Sequence, residues 1–99
     1  MLILLPSNFR NKFNMQKMNI KKDIAISESG FVFDPTTGES YSLNAIGVEI
    51  LTLLKEGNDQ QEITDFVLQK YEVDADTFDN NYYDFINMLK QFNLAKTEA

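Results

Sequence analysis

Gly30-Phe31-Val32-Phe33-Asp34-Pro35-Thr36-Thr37-Gly38-Glu39-Ser40-Tyr41-Ser42-Leu43-Asn44 is the stretch that decides this fold. Phe31-Val32-Phe33 is aromatic and β-branched, the composition of a strand on a half-buried pleated surface. Asp34-Pro35-Thr36-Thr37-Gly38 then turns the chain. Asp accepts backbone hydrogen bonds at the first position, Pro presets φ at the second, and Gly supplies a positive φ at the exit. Glu39-Ser40-Tyr41-Ser42-Leu43 alternates polar and apolar, so Tyr41 and Leu43 share one face and Ser40 and Ser42 the other. Upstream, Ile24-Ala25-Ile26-Ser27 alternates weakly and Glu28-Ser29-Gly30 turns. Three strands joined by two tight turns make a meander, with the third strand, residues 39–43, at an edge.

At Asn44 the period becomes helical. Asn44 is an N-cap, and Leu43 before it can staple onto Val48. Ile46, Ile50, Leu53 and Leu54 fall on one face, and Gly57 ends the helix. Asp59 and Glu62 form an Asp variant of the capping box for a second helix, whose stripe is Ile63, Phe66, Val67 and Tyr71. A third helix begins near residues 74–76, where acidic side chains suit the helix dipole. Its stripe is Phe78, Tyr82, Phe85, Ile86, Leu89 and Phe92; Asn93 suits a left-handed cap, and Leu94 packs back. The order β-β-β-α-α-α predicts an α+β, winged-helix-like fold: a three-stranded antiparallel meander followed by three helices.

The chain has 99 residues, 43% of them hydrophobic and 12% aromatic, which is one small ordered domain. It has no His and no Cys. Disulfides, imidazole or thiolate metal sites, and Ser–His or Cys–His nucleophile pairs are therefore excluded. Residues 1–23 carry five cations against Asp23, and residues 24–99 carry four lysines against fourteen carboxylates. Such a body repels polyphosphate and anionic lipid. Residues 1–22 are read as a mobile tail. Translation starting at Met15 or Met18, or an arm that docks on the domain or on a second copy, are the other readings. The domain is placed at residues 23–95, with a C-terminal tail at 96–99. Met1-Leu2-Ile3-Leu4-Leu5 is too short for a signal h-region or a membrane span, so a cytoplasmic protein is expected.

The acid–base candidates are carboxylates, Lys and Tyr. Asp74, Asp76 and Asp79 do not complete a calcium loop, since the sixth and twelfth positions from Asp74 are Asp79 and Phe85. The isolated glycines cradle no phosphate. No enzyme activity, metal or cofactor is expected. Helices two and three read as a helix-turn-helix, but the third helix offers Asp74, Asp76, Asp79 and Asp84 against Lys90, so no nucleic-acid partner is expected. An edge strand, in contrast, exposes unpaired N–H and C=O groups to an extended peptide. The third helix is more aromatic than one internal stripe needs. Phe85, Leu89 and Phe92 read as core, while Tyr82, Tyr83 and Ile86 read equally as pocket or core.

Residues 30–44 resemble the PqqD family, as do Gly47…Ile50-Leu51…Leu54…Gly57…Glu62-Ile63 and Phe85-Ile86…Leu89…Leu94. The Asp-Pro-x-x-Gly-Glu hairpin is similar to the branch associated with HPr-kinase-related proteins. The family commonly has an acidic residue where this chain has Asn81. The resemblance implies a peptide chaperone, or precursor-peptide recognition element. Such a protein holds the leader of a ribosomally made precursor and presents it to a modifying enzyme, such as a radical-SAM or HPr-kinase-related protein. It also implies the site: Glu39, Ser40, Tyr41, Ser42 and Leu43 on the third strand, facing Phe78, Asp79, Tyr82, Tyr83 and Ile86. The alternative is an acidic winged-helix adaptor or dimerising regulator without a peptide ligand; open strand edges suit a homodimer.

Overall fold

The computed structural model describes residues 18–97. In chain order these form β1 (Met18–Ile20), β2 (Ala25–Ile26), β3 (Phe31–Asp34), β4 (Glu39–Ser42), α1 (Ala45–Lys55), α2 (Gln60–Lys70), α3 (Ala75–Gln91) and β5 (Ala95–Thr97). β2, β3 and β4 pair antiparallel in sequence order, giving the expected α+β meander and three helices. β1 and β5 make a second, two-stranded sheet, with Ile20 opposite Ala95 and Met18 opposite Thr97. Met18–Ile20 and Ala95–Thr97 thus extend the fold beyond residues 23–95, into segments read as tails. The readings for residues 1–17 and 98–99 lie outside the described residues.

Local chemistry sets the element ends. Asp34 Oδ1 accepts from the Thr36 N–H at 3.0 Å and the Thr36 hydroxyl at 2.7 Å. The Asp34 carbonyl accepts from the Gly38 N–H at 2.8 Å, and Gly38 has φ 79°. Asn44 caps α1 by accepting from the Gly47 N–H at 2.8 Å. Asp59 and Glu62 complete the capping box of α2, and Asp74 caps α3 through Thr77. Asn93 closes α3 at φ 61°, and Leu94 behind it is buried.

The core is Val32 from β3, Leu51 from α1, Ile63 and Val67 from α2, Leu89 from α3, and Leu94. Each such burial is worth about 1.5–3 kcal/mol. The buried stripe of α1 is Gly47, Ile50, Leu51 and Leu54, so Leu51 takes the place expected of Leu53. The spacing of three, one and three is regular only when Gly47 is counted as an inward position. Phe66 and Phe92, expected inside, are 39% and 43% exposed. The ammonium of Lys70 lies 5.6 Å from the centre of the Phe66 ring.

Asp34 is the one buried charged side chain among the described residues. Lys21, the residue after β1, donates to its Oδ2 at 2.8 Å and ties the β1–β5 ribbon to the β3–β4 turn. Hydrogen bonds from Lys21 and then Thr36 lower the Asp34 pKa from 3.8 to about 2. A depressed carboxyl stabilises the fold fully above its unfolded pKa, and that contribution is lost as pH falls through the folded value. Asp34→Asn should therefore lower stability at pH 7 and flatten its decline between about pH 4 and pH 2. Urea melts at several pH values measure both, and an unchanged slope in that window would contradict the assignment.

Candidate functional site

Pairing decides which backbone groups of β4 are already used. Bonded and non-bonded residue pairs alternate along an antiparallel ladder. The Leu43 N–H donates to the Gly30 carbonyl at 2.7 Å, so Gly30 and Leu43 form a bonded pair. In the same register Tyr41 lies opposite Val32, while Ser40 and Ser42 lie opposite Phe33 and Phe31. Tyr41 is therefore bonded inward to Val32, and the N–H and C=O groups of Ser40 and Ser42 point to the open side. The other edge of β3 agrees: Ser27 N–H donates to the Phe31 carbonyl at 2.8 Å, so Phe31 and Phe33 bond towards β2.

The two outer strands of the meander differ in protection. β2 is two residues long, and Lys55 on α1 donates to the adjoining Ile24 carbonyl at 2.8 Å. An open trough of about 620 Å³ runs beside it, lined by Ile24, Ile26, Val48 and Thr52 with Lys55, Glu56 and Glu28 at its rim. β4 is four residues long and carries no Pro or Lys. Short length and lysine are ordinary guards against strand pairing, and β4 has neither.

Beside β4 stands an aromatic wall. Tyr41 is half-buried and its ring centre lies 4.9 Å from that of Phe92, at 42°. Phe85, nearly two turns back along the same flank, packs near Gly47 at the start of α1. On the outer face of the sheet Phe31 and Phe33 are exposed beside the small side chains of Ser40 and Ser42. A strand added to β4 would set alternate side chains on these two aromatic surfaces.

The helix half of the expected site divides. Phe78 and Tyr82 are core residues, with ring centres 5.8 Å apart. Burial, with a lesser push from the Asp59 carboxylate, raises the Tyr82 phenol to about 12, so it stays neutral. Ile86 is half-buried, and Asp79 and Tyr83 are exposed. At 100° per residue, Tyr83 sits about 180° around α3 from Phe92 and so faces away from the wall that meets Tyr41. Phe92 meets Tyr41 of β4 and Phe85 lies by Gly47 at the start of α1, while Asp79 and Tyr83 are exposed. Sequence reading placed those two phenylalanines in the core because a stripe with regular spacing reads as internal; their seven-residue separation marks a shared flank, but not what that flank faces.

Among the described residues no group of three metal-ligating side chains is gathered, and no helix is long and apolar enough to cross a membrane. Two solved structures are similar to this chain. TbiB1, solved in complex with the TbiA(beta) leader peptide, is 27% identical, with TM-score 0.68 over 84% of this chain and 93% of its own. A lasso peptide synthetase B1, complexed with the leader peptide, is 19% identical with TM-score 0.70 over 81% and 98%, a likeness of fold. No curated protein matches. The profile of coenzyme PQQ synthesis protein D (PqqD) matches residues 30–94, from the glycine that opens the hairpin to the leucine that closes α3, and the chain belongs to that family.

Proposed function

We propose that this chain is a non-enzymatic peptide chaperone that binds the leader of a ribosomally made precursor by strand addition to β4. The observation that carries this reading is the unguarded edge: Ser40 and Ser42 turn their backbone groups outward beside the Tyr41–Phe92 wall. The likeness to TbiB1, which was solved with a leader peptide, supports it. Glu39, Ser40, Tyr41, Ser42 and Leu43 supply the edge and its inner face. Phe85 and Phe92 supply the wall, Ile86 lies deeper, and Asp79 and Tyr83 contribute charge and rim at a distance.

The energetics require both parts. A micromolar affinity is about −8 kcal/mol. Four main-chain hydrogen bonds at a net ~0.5–1.5 kcal/mol each fall short of that once ordering costs are included. Apolar contacts with the aromatic surfaces must supply the rest, and backbone pairing sets register and direction. In this reading the covalent chemistry falls to a separate enzyme. A radical-SAM or HPr-kinase-related protein is the class that the family resemblance implies.

The test is an NMR titration of the full chain with a candidate leader peptide. The largest amide shifts should fall at Ser40, Ser42 and Leu43. Phe92→Ala should weaken binding about tenfold (~1.4 kcal/mol), and Tyr83→Ala by less than about threefold. Shifts gathered on the Tyr83 flank, or the opposite ranking of the two variants, would show that the peptide lies elsewhere.

A further inference from the structure

β3 inverts the usual order of a half-solvated strand. A sheet with one open face ordinarily turns its polar side chains to water. Here Val32 and the Asp34 carboxylate are buried on the inner face, while Phe31 and Phe33 stand on the outer face, 57% and 43% exposed. At about 200 Å² per side chain, those fractions leave on the order of 200 Å² of aromatic surface in the open. The residues that flank the rings are small. Ala25 on β2 lies opposite Phe33, and Ser40 and Ser42 on β4 lie opposite Phe33 and Phe31. Both serines are exposed, so each forms a low shelf between an aromatic ring and the open edge. A strand added to β4 would run two strand spacings from β3, about 9.5 Å. A phenyl ring leaning from one side and a branched aliphatic side chain leaning from the other close that distance only when the residue between them is small.

We infer that Phe31 and Phe33 are specificity-determining residues for the bound peptide, and that the segment they select has three consecutive apolar residues. This rests on the leader-binding reading of β4. Residues directly opposite one another in a sheet share a face. The peptide residue beside Tyr41 therefore turns to the Tyr41–Phe92 wall, and its two neighbours, beside Ser40 and Ser42, turn to the Phe33 and Phe31 rings. That holds for either direction of the added strand. A strand covered on both faces is continuously apolar, whereas one with a single covered face alternates. An extended leader is the occupant because the patch is narrow and continuous with the edge. A stable interface between folded proteins takes about 800 Å² from each partner, and the two rings offer about a quarter of that. The β2 side is closed to the same use. Only Ile26 turns its backbone groups outward there, and Lys55 already holds the Ile24 carbonyl.

Two synthetic peptides with threonine and lysine flanks test this, one with a Val-Leu-Val centre and one with a Thr-Leu-Thr centre. Thr keeps the shape and strand preference of Val and replaces a methyl group by a hydroxyl. Each is titrated into the full chain and followed at the Ser40 and Ser42 amides. The Val-Leu-Val peptide should bind at least about tenfold more tightly. Phe31→Thr/Phe33→Thr should reduce that preference to within about twofold, and change the affinity of the Thr-Leu-Thr peptide by less than about threefold. The wild-type complex supplies a second measurement that needs no variant to fold. Its valine methyls should show NOEs to the Phe31 and Phe33 rings, and its leucine methyls to the Phe92 ring. Equal affinities for the two peptides, or no valine NOE to either outer ring, overturn the inference. So do Phe31 and Phe33 ring signals that move with protein concentration before any peptide is added, which would assign the patch to a second copy. If a candidate leader shifts Ser40 and Ser42 while neither synthetic peptide does, the outer rings do not set selection and the leader reading stands. If no peptide shifts them, the leader reading falls as well.

Discussion

Ser42→Pro is expected to lower leader affinity by at least about 100-fold (~2.7 kcal/mol) in a protein that still folds. The Ser42 N–H points away from β3, so the substitution removes no rung of the β3–β4 ladder. Proline is tolerated on edge strands where the lost N–H faces solvent. The residue before it, Tyr41, already has the extended backbone that a following proline demands. An added strand is affected differently. Its carbonyl loses a donor and is desolvated unpaired, at about 1–3 kcal/mol, and the pyrrolidine ring occupies the place where that carbonyl would approach. Ser42→Ala keeps the N–H and should bind within about twofold of the wild type. Tyr41→Pro is the contrasting substitution: it removes the donor to Val32 and the ring that meets Phe92, so its main effect is unfolding, by ~3 kcal/mol or more. Calorimetric titration and urea melts of the three variants separate binding from stability. A folded Ser42→Pro chain that keeps wild-type affinity would exclude strand addition on β4.

What the sequence made legible was local. The Asp34–Gly38 turn, the Asn44 cap, the Asp59–Glu62 box and the Asn93 reversal each rest on residues within a few positions of one another, and each is present. The edge position of β4 followed from the same reasoning, because a strand that leads directly into a helix has no successor to pair with. The β1–β5 ribbon escaped, since Met18 and Thr97 lie at opposite ends of the domain and neither three-residue strand has a period to read. Lys21 looked like one more tail cation, and its role appears only once Asp34 is buried beneath it. The helix half of the site was the hardest part. Periodicity shows that α3 has more apolar surface than one stripe, but which flank meets the sheet is set by packing. Tyr83 was the natural choice as the aromatic that did not fit the stripe; Phe92, which did fit, meets Tyr41.

Gly30→Ala should cost about 3 kcal/mol, lowering the melting temperature by roughly 12–24 °C, even though only one methyl group is added. Gly30 has φ 103°, a conformation that residues with a side chain rarely adopt. The added Cβ would also lie 2.4 Å from the Leu43 carbonyl oxygen. That atom is backbone and cannot swing aside. The same residue pair carries the Leu43-to-Gly30 hydrogen bond at 2.7 Å, the last rung before Asn44 caps α1. Relief of the clash must therefore either break that rung or shift Leu43, and with it the end of β4 and the start of α1. Gly38→Ala is the measure of the conformational part alone: φ there is 79°, and nothing lies within 4 Å of an added Cβ. Its cost should stay near 1 kcal/mol. The difference between the two melts isolates the contact with Leu43. Because that contact seats the open edge, a surviving Gly30→Ala chain should also show altered amide shifts at Ser40 and Ser42, whereas Gly38→Ala should leave Ser42 unchanged. Equal melting temperatures for the two variants would mean that the Leu43 carbonyl yields without cost, and that the register of β4 is held by something other than this glycine.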